Sequence, residues 1–263
     1  MDLGLKHKVA LVTGASRGLG FAIAQLLADE GAQVVINSRD SQKLRKAAEL
    51  IQQKTGQEVI TIAGDVTQSE VPLQLVETTV ARFNGLDILI TNAGGPPPGA
   101  FENFDDETWY KAIDLSFMSQ VRLIRAALPH LKNSSAASVL TITSISVKQP
   151  VPNLVLSNSI RAATVGLTKT LALELGNQGI RFNSILPSWT ETERVIELLS
   201  ARAKMNGTTI KEEIEKQSRE SVFGRMAKPE EFARAAVFLV SPAASYLTGV
   251  MLAVDGGMYK GVL

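Results

Sequence analysis

The sequence has 263 residues, of which 45% are hydrophobic, and its 27 basic residues nearly balance its 26 acidic ones, for a net charge of +1. This balance argues against nucleic-acid binding, and the absence of cysteine excludes disulfides, thiol nucleophiles and thiolate metal sites. The two histidines, His7 and His130, do not have the spacing of metal ligands, so we expect no metal site. The sequence has neither a signal-peptide pattern nor an apolar run of about 18 residues. We therefore expect no membrane association and a cytoplasmic location.

Seven short runs of apolar, often β-branched residues recur along the chain, bounded by Gly, Asn, Asp or Thr. Such runs are typical of strands that are buried on both faces of a parallel sheet. They cover Lys8–Val12, Gln33–Asn37, Glu58–Ile62, Asp87–Thr91, Ser138–Ile142, Ile180–Ile185 and Val250–Val254. Apolar residues at helical spacing lie between them. The pattern therefore predicts one α/β domain over residues 1–263, with a doubly wound, seven-stranded parallel sheet and helices on both faces.

The first predicted strand runs directly into a glycine-rich turn that opens a helix. Gly14, Gly18 and Gly20 permit a tight turn and a close approach of the backbone to a pyrophosphate, and the helix N-terminus offers N–H donors to its negative charge. Three glycines alone would be a weak signal, but a strand, a turn and a helix in this order indicate a dinucleotide site. Its predicted residues are Gly14, Ser16, Arg17, Gly18, Leu19 and Gly20.

The end of the second predicted strand indicates which dinucleotide is bound. An Asp or Glu there holds the ribose 2′-hydroxyl of NAD, whereas an arginine accommodates the 2′-phosphate of NADP. The strand ends in Asn37, Ser38 and Arg39, and Arg17 lies in the glycine turn, so two guanidinium groups could flank a phosphate. We therefore expect NADP(H). NAD stays possible, because a shift of one residue would place Asp40 at the ribose.

Two segments depart from the simple alternation of strands and helices. Residues 94–99, Gly-Gly-Pro-Pro-Pro-Gly, form a stiff loop after the fourth strand, at the edge of the sheet where ligands bind in open α/β folds. A plain connecting loop is equally consistent with the sequence. Residues 187–229 form a long stretch before the last strand, in which Val195–Leu199 and Ile210–Ile214 suggest two short helices.

Four motifs resemble those of the short-chain dehydrogenase/reductase family, and within it the β-ketoacyl-acyl-carrier-protein reductases. They are Thr13–Gly20, Asn92-Ala93-Gly94, Tyr246–Gly249 and Asp255–Gly257, which together span nearly the whole chain. The resemblance implies a Rossmann-like fold, a small-molecule carbonyl or alcohol substrate, and a helical substrate lid over residues 188–228. It also implies cofactor contacts by Asp65 and Val66 at the adenine, by Asn92, Ala93 and Gly94 along the adenosine, and by Arg161, Pro187 and Thr192 toward the nicotinamide.

The family mechanism uses a serine, a tyrosine, a lysine and an asparagine, and this chain matches only the first. Counting back from Gly166–Lys169 places Ser157 at the tyrosine and Arg161 at the lysine. Ser144 has the spacing of the family serine, and Asp114 stands at the asparagine. A serine hydroxyl holds its proton more tightly than a phenol does, and an arginine cannot act as a lysine-like proton relay. The resemblance therefore predicts the fold and the cofactor more directly than the chemistry.

None of the three tyrosines in the chain has the spacing to replace the missing phenol. The first hypothesis is an NADP(H)-dependent oxidoreductase with an atypical site, in which Ser144 and Arg161 polarise a carbonyl and water supplies the proton. The second is a cofactor-binding sensor or partner protein with little or no turnover. The third is a non-redox enzyme with Asp114 as base and Arg161 as oxyanion holder. Fold alone does not decide among them.

Two further predictions concern packing. The segments Trp109–Leu131 and Ile160–Leu175 are apolar on more than one face, and a helix of that kind must be covered on both sides. We therefore expect a homotetramer with two-fold symmetry, or a homodimer. Asp114 and Arg161 replace a neutral amide and a lysine on helices that line the site. We predict that these two residues form a buried or half-buried ion pair with each other.

Overall fold

The computed structural model describes residues 1–262 of the chain. Its seven strands form one parallel sheet in the order β3-β2-β1-β4-β5-β6-β7, which confirms the predicted fold. The strands are β1 (Val9–Val12), β2 (Gln33–Ser38), β3 (Ile60–Ala63), β4 (Ile88–Thr91), β5 (Ser138–Ile142), β6 (Arg181–Pro187) and β7 (Met251–Val254). The largest differences from the predicted bounds are at β3, which begins at Ile60, and at β6, which extends to Pro187.

Nine α-helices lie in the described part of the chain. They are α1 (Gly18–Asp29), α2 (Ser41–Thr55), α3 (Val71–Phe83), α4 (Asp106–Ile113), α5 (Ser119–Leu131), α6 (Val155–Leu175), α7 (Glu193–Asn206), α8 (Ile210–Ser218) and α9 (Pro229–Val240). Within residues 1–262, none of these helices combines the length and the apolar character that crossing a membrane requires.

The core lies on both faces of the sheet, because successive side chains of a strand point to opposite faces. In β1, Ala10 and Val12 pack in one cluster with α1, α2 and α9, while Val9 and Leu11 pack in the other with α3, α5 and α6. Full burial of one Leu, Ile or Phe side chain stabilises the fold by about 1.5–3 kcal/mol. This burial on both faces explains why each strand is an unbroken run of apolar residues in the sequence.

The order of the strands reverses at β1, which has β2 on one side and β4 on the other. In open α/β sheets a crevice forms outside the carboxyl ends of the strands at such a point. The glycine turn follows β1 and the segment Asn92–Gly94 follows β4. The topology therefore brings both motifs to one crevice.

The predicted helical segment Trp109–Leu131 contains a single π turn. Residues Asp114–Met118 form this wider turn between α4 and α5. A π turn inserts one extra residue into a helix and changes which side chains share a face beyond it. No residue in the segment has a sequence signal for this insertion.

Residues 188–228, which were predicted to form a substrate lid and are called the lid segment, contain the two predicted helices. The first, α7, begins after the N-cap Thr192 and runs to Asn206, so it is longer than predicted. The second, α8, begins after the N-cap Thr209, whose hydroxyl accepts from the Glu212 N–H while the Glu212 carboxylate accepts from the Thr209 N–H. This reciprocal capping satisfies N–H groups that would otherwise have no partner at a helix start.

Candidate functional site

The glycine turn has a geometry that only glycine tolerates at two positions. Gly14 has a φ of +59°, and a β-carbon there would lie 2.7 Å from the Asn92 carbonyl oxygen. A β-carbon on Gly20 would lie 2.5 Å from the Gly14 carbonyl oxygen. Asn92 holds the turn from the other side, since its Nδ2 donates to the Gly14 carbonyl at 3.0 Å. The turn thus joins the carboxyl ends of β1 and β4.

The first turn of α1 offers a positive field to this crevice. No side chain caps the helix N-terminus, and no acidic residue lies in the first turn. An uncapped helix start carries N–H groups and the positive end of the helix dipole, which together favour an anion. Gly18 and Leu19 line the crevice at this point.

The carboxyl end of β2 presents an arginine and no free acid. Asn37 is buried, and its Nδ2 donates to the carbonyls of Ile62 and Gly64. The Asp40 carboxylate caps α2 by accepting from the N–H groups of Gln42 and Lys43. These hydrogen bonds lower the pKa of Asp40, the one from the Lys43 N–H most of all. Asp40 is therefore engaged as a helix cap through Oδ1, and its Oδ2 lies 3.4 Å from Nζ of Lys43.

Arg39 and Arg17, the two predicted phosphate ligands, have different surroundings. The Arg39 side chain is 74% exposed and its nearest acid is Asp65, with 3.7 Å between Nη1 and Oδ2. The Arg17 guanidinium instead donates to Glu197 of α7 at 3.0 Å. Arg39 is thus free to meet a phosphate, whereas Arg17 links the glycine turn to the lid segment in this structure.

One cleft with a volume of about 360 Å³ brings most of the predicted cofactor residues together. It runs from Arg39 at β2 to Arg161 on α6. The predicted residues that line it are Gly14, Ser16, Arg17, Gly18, Leu19, Arg39, Asp65, Val66, Asn92, Ala93, Gly94, Arg161, Pro187 and Thr192.

Two of the side chains predicted for catalysis, Ser157 and Arg161, are hydrogen-bonded to each other next to the end of β5, and a third, Ser144, follows this strand. Ser144 follows this strand, is half-buried, and its Oγ accepts from the Ser146 N–H at 3.1 Å. Arg161 donates from Nε to Ser157 Oγ at 3.1 Å, and from Nη1 to the carbonyls of Ile142 and Thr143 at 3.1 and 2.8 Å. Burial lowers the pKa of Arg161 to about 10, and the charge of Arg194 contributes in the same direction. Arg161 is therefore held against the end of β5, one to two residues before Ser144.

The predicted ion pair between Asp114 and Arg161 is wrong. Asp114 Oδ1 lies 2.6 Å from Nη1 of Arg122, and Arg122 also donates to the Thr67 carbonyl. The π turn explains this pairing. Arg122 is eight positions after Asp114, but the inserted residue gives it the place that position seven has in a regular α-helix. It therefore lies on the same face of the helix as Asp114. Asp114 is thus held by a cation outside the cleft lining, which argues against its use as a catalytic base.

Two arginines near the site were missed by the sequence reasoning. Arg122 has no local signal, because its position depends on the π turn. Arg194 lies in the first turn of α7, and its Nη2 donates to the carbonyls of Gly95 and Pro96. A basic residue in a first helical turn opposes the helix dipole, and this unfavourable placement is the signal that could have drawn attention to Arg194.

Comparisons with known proteins identify the group to which this architecture belongs. The family model described as enoyl-(acyl carrier protein) reductase matches residues 14–259. Dehydrogenase/reductase SDR family member 4 of Homo sapiens is 35% identical over 254 residues, which is 96% of this chain and 88% of the relative. The chain belongs to the short-chain dehydrogenase/reductase family. The 3-oxoacyl-[acyl-carrier-protein] reductase of Chlamydia trachomatis is 30% identical over 255 residues, 97% of this chain and 98% of the relative.

Two solved reductase structures superimpose over nearly the whole chain. L-sorbose reductase from Gluconobacter frateurii, solved with NADPH and L-sorbose, has a TM-score of 0.95 and 35% identity, and the match covers 100% of both chains. YwfH, an NADPH-dependent reductase involved in bacilysin biosynthesis, has a TM-score of 0.92 and 28% identity, with 98% of this chain and 100% of that chain covered. The family resemblance predicted from the motifs is confirmed.

Proposed function

We propose that the protein is an NADP(H)-dependent oxidoreductase that interconverts a carbonyl and an alcohol with an atypical acid–base site. The observation that carries the proposal is the single cleft that joins the glycine turn and Arg39 at one end to Arg161 at the other. The names of the structural relatives support it, since L-sorbose reductase and YwfH are both reductases that use NADPH.

The residues of the cleft fit NADP(H). The glycine turn leaves room for a pyrophosphate next to the N-terminus of α1, and Arg39 offers an exposed guanidinium for the 2′-phosphate. We assign Asp65 and Val66 to the adenine, Asn92–Gly94 to the adenosine side, and Arg161, Pro187 and Thr192 to the nicotinamide end. When bound, NADPH would supply the hydride.

Ser144, Ser157 and Arg161 would support the substrate oxygen. Because Arg161 donates to Ser157 Oγ, the Ser157 hydroxyl proton stays available for a second hydrogen bond. Two hydroxyl donors, from Ser144 and Ser157, could then meet the oxygen as negative charge develops on it, and the fixed charge of Arg161 would strengthen the second. The proton that completes the alcohol would come from water. The lid segment, residues 188–228, would enclose the substrate within the same domain.

A second candidate is a cofactor-binding protein without turnover. The hydrogen bond between Arg161 and Ser157 favours it, because Ser157 accepts from a group that stays charged and neither residue is an obvious proton donor. This candidate keeps the same cofactor contacts and gives no role to Ser144.

Turnover of NADPH tests both candidates. We expect slow NADPH oxidation with at least one member of a panel of ketones, quinones and acyl thioesters, about 10²–10⁴-fold below a tyrosine-containing relative, since that is the usual contribution of general acid catalysis. The double variant Ser157→Tyr/Arg161→Lys should be faster by at least about tenfold, with Arg161→Lys alone as its control. A wild type that binds NADPH, and a double variant that reduces nothing, would favour the protein without turnover.

A further inference from the structure

Two guanidinium groups converge at one end of the cleft, beside the loop that follows β4. Arg161 reaches this point from α6 and Arg194 from the first turn of α7. Their Nη2 atoms lie 3.7 and 2.8 Å, respectively, from the position that a β-carbon on Gly95 would occupy. The missing side chain of Gly95 therefore leaves the space into which both cations point.

Neither guanidinium has an acidic partner in the described residues. Arg161 uses Nε and Nη1 for Ser157 and two carbonyls, and within residues 1–262 its Nη2 has no hydrogen-bond acceptor. In the same part of the chain, the acceptors of Arg194 are the carbonyls of Gly95 and Pro96. The nearby Glu197 is paired with Arg17 at 3.0 Å and acts on Arg194 only through its charge. The end of the cleft thus carries two guanidinium groups that form no ion pair with a described acidic residue.

This arrangement is costly unless something compensates for it. Burial lowers the pKa of Arg161 to about 10, with the charge of Arg194 as the second cause. Burial also lowers the pKa of Arg194, with Arg17 adding to the effect and Glu197 opposing it. Like charges held close together outside bulk water repel each other. An anion bound between them would relieve both costs.

We propose that Nη2 of Arg161 and Nη2 of Arg194 bind an anionic oxygen group of the substrate, a carboxylate or a phosphate, next to the reacting carbonyl. Guanidinium groups match both anions with short, charge-assisted hydrogen bonds. Arg161 is fixed by β5, whereas Arg194 comes from the lid segment, so an anion between them would also bind the lid to the body of the protein. This inference rests on the proposed function, because it assigns the substrate class of that same site.

The cofactor pyrophosphate is a second source of the same anionic chemistry. It would lie at the N-terminus of α1, and Arg17 stands close enough to Arg194 to influence its pKa. If Arg194 binds the pyrophosphate, its loss should weaken binding of the dinucleotide. If Arg194 binds a substrate anion, its loss should weaken binding of a separate anion to the complex of protein and dinucleotide.

Calorimetric titrations of the NADP⁺-saturated protein distinguish these sources. The probes are oxamate and methylphosphonate, which are anionic, and oxamide, which is the neutral counterpart of oxamate. We expect at least one anion to bind at least about tenfold more tightly than oxamide. Arg194→Gln should weaken that anion by at least about tenfold and leave the NADPH dissociation constant within about threefold. Arg219→Gln removes the charge of an exposed arginine elsewhere in the lid segment and should change neither.

Each contrary result has a distinct meaning. No preference for either anion over oxamide in the wild type would overturn the inference. A loss of NADPH affinity of about tenfold or more in Arg194→Gln, with anion binding unchanged, would assign Arg194 to the pyrophosphate and also overturn it. A wild type that does not bind NADPH would contradict the proposed function itself, and the NADPH titration reveals that before any anion is added.

Discussion

Arg161 combines a fixed positive charge with a half-buried position at the end of β5. Its Nε and Nη1 bind Ser157 and the carbonyls of Ile142 and Thr143. Burial lowers its pKa to about 10, which is still well above neutral pH, so the residue stays protonated. Arg161 can therefore stabilise negative charge and donate hydrogen bonds, but it does not relay protons. Under the proposed function, water has to take over that part of the chemistry.

At the same scale, we predict that Arg39 determines the preference for NADPH. Because the Arg39 side chain is 74% exposed and its ion pair with Asp65 is long, at 3.7 Å, Arg39→Ala should weaken NADPH binding by about tenfold or more and leave NADH binding unchanged, as expected for the loss of a charge-assisted hydrogen bond. Fluorescence titration with both cofactors measures this. Arg45→Ala, an exposed arginine on α2, is the matched control. Equal affinities for the two cofactors in the wild type would contradict the prediction.

At the scale of the elements, the end of α9 depends on one side chain from β6. The Arg181 guanidinium donates to the carbonyls of Leu239, Val240, Ser241 and Ala244 at 2.7–3.2 Å. Leu239 and Val240 belong to the last turn of α9, where the last four carbonyls have no partner within the helix. Arg181 thereby ties the C-terminal end of α9 to the start of β6.

We predict that Arg181→Ala lowers the free energy of unfolding by about 3 kcal/mol, because carbonyls at the helix end lose a charged donor. Urea denaturation at one fixed protein concentration measures the change. Arg234→Ala is the control, since this exposed arginine lies on the same helix and should cost no more than about 0.5 kcal/mol. Equal costs for the two variants would show that the cap contributes nothing specific.

The junction between the lid segment and α9 is an ion pair with a pH dependence. Arg225 donates two hydrogen bonds of 2.7 Å to Glu231, and the Lys228 N–H donates a third of 2.8 Å. The Arg225 side chain is the main cause that lowers the pKa of Glu231 from 4.5 to about 2. A depressed pKa in the folded state means that the stabilisation is complete above 4.5 and is lost as the pH falls from 4.5 toward 2.

We predict that Glu231→Gln has a smaller loss of melting temperature than the wild type as the pH falls through this acidic range. Thermal melts at a series of pH values below neutral measure the slope. Glu230→Gln removes the same charge from the same turn of α9 and serves as control, because Glu230 forms no ion pair within residues 1–262. An identical slope in Glu231→Gln and the wild type would mean that solvent screening cancels the pair.

At the scale of the whole molecule, one face of α6 suggests contact with another copy of the chain. Ala162, Ala163 and Gly166 are exposed there, and Leu173 on the same helix is 75% exposed. Small residues on an exposed helix face permit close helix packing, and a large exposed apolar side chain is unfavourable in water. These observations support the predicted assembly without giving its size.

We predict a homotetramer with two-fold symmetry, which light scattering at micromolar concentration should detect. Leu173→Glu should reduce the mass, because a carboxylate would be buried at the helix contact. Leu50→Glu, at a leucine of α2 that is 46% exposed, should leave the mass unchanged. A wild-type monomer would contradict the prediction.

Local sequence alone determined the strands and the glycine turn. The strands could be read because burial on both faces leaves unbroken apolar runs. The turn could be read because Gly14 and Gly20 have no room for a β-carbon. The cleft then followed from topology, since parallel strands present their carboxyl ends at one edge of the sheet.

Only the tertiary structure decided the partners of the charged side chains. Asp114 binds Arg122 and not Arg161, because a π turn with no sequence signal shifts the helix face by one residue. Arg17 binds Glu197, which is 180 positions away in the chain, and Arg194 donates to the carbonyl of Gly95, which is 99 positions away. Both contacts form because the lid segment folds back over the cleft. An ion pair depends on distances of a few ångströms between side chains, and such distances are set by how whole elements pack.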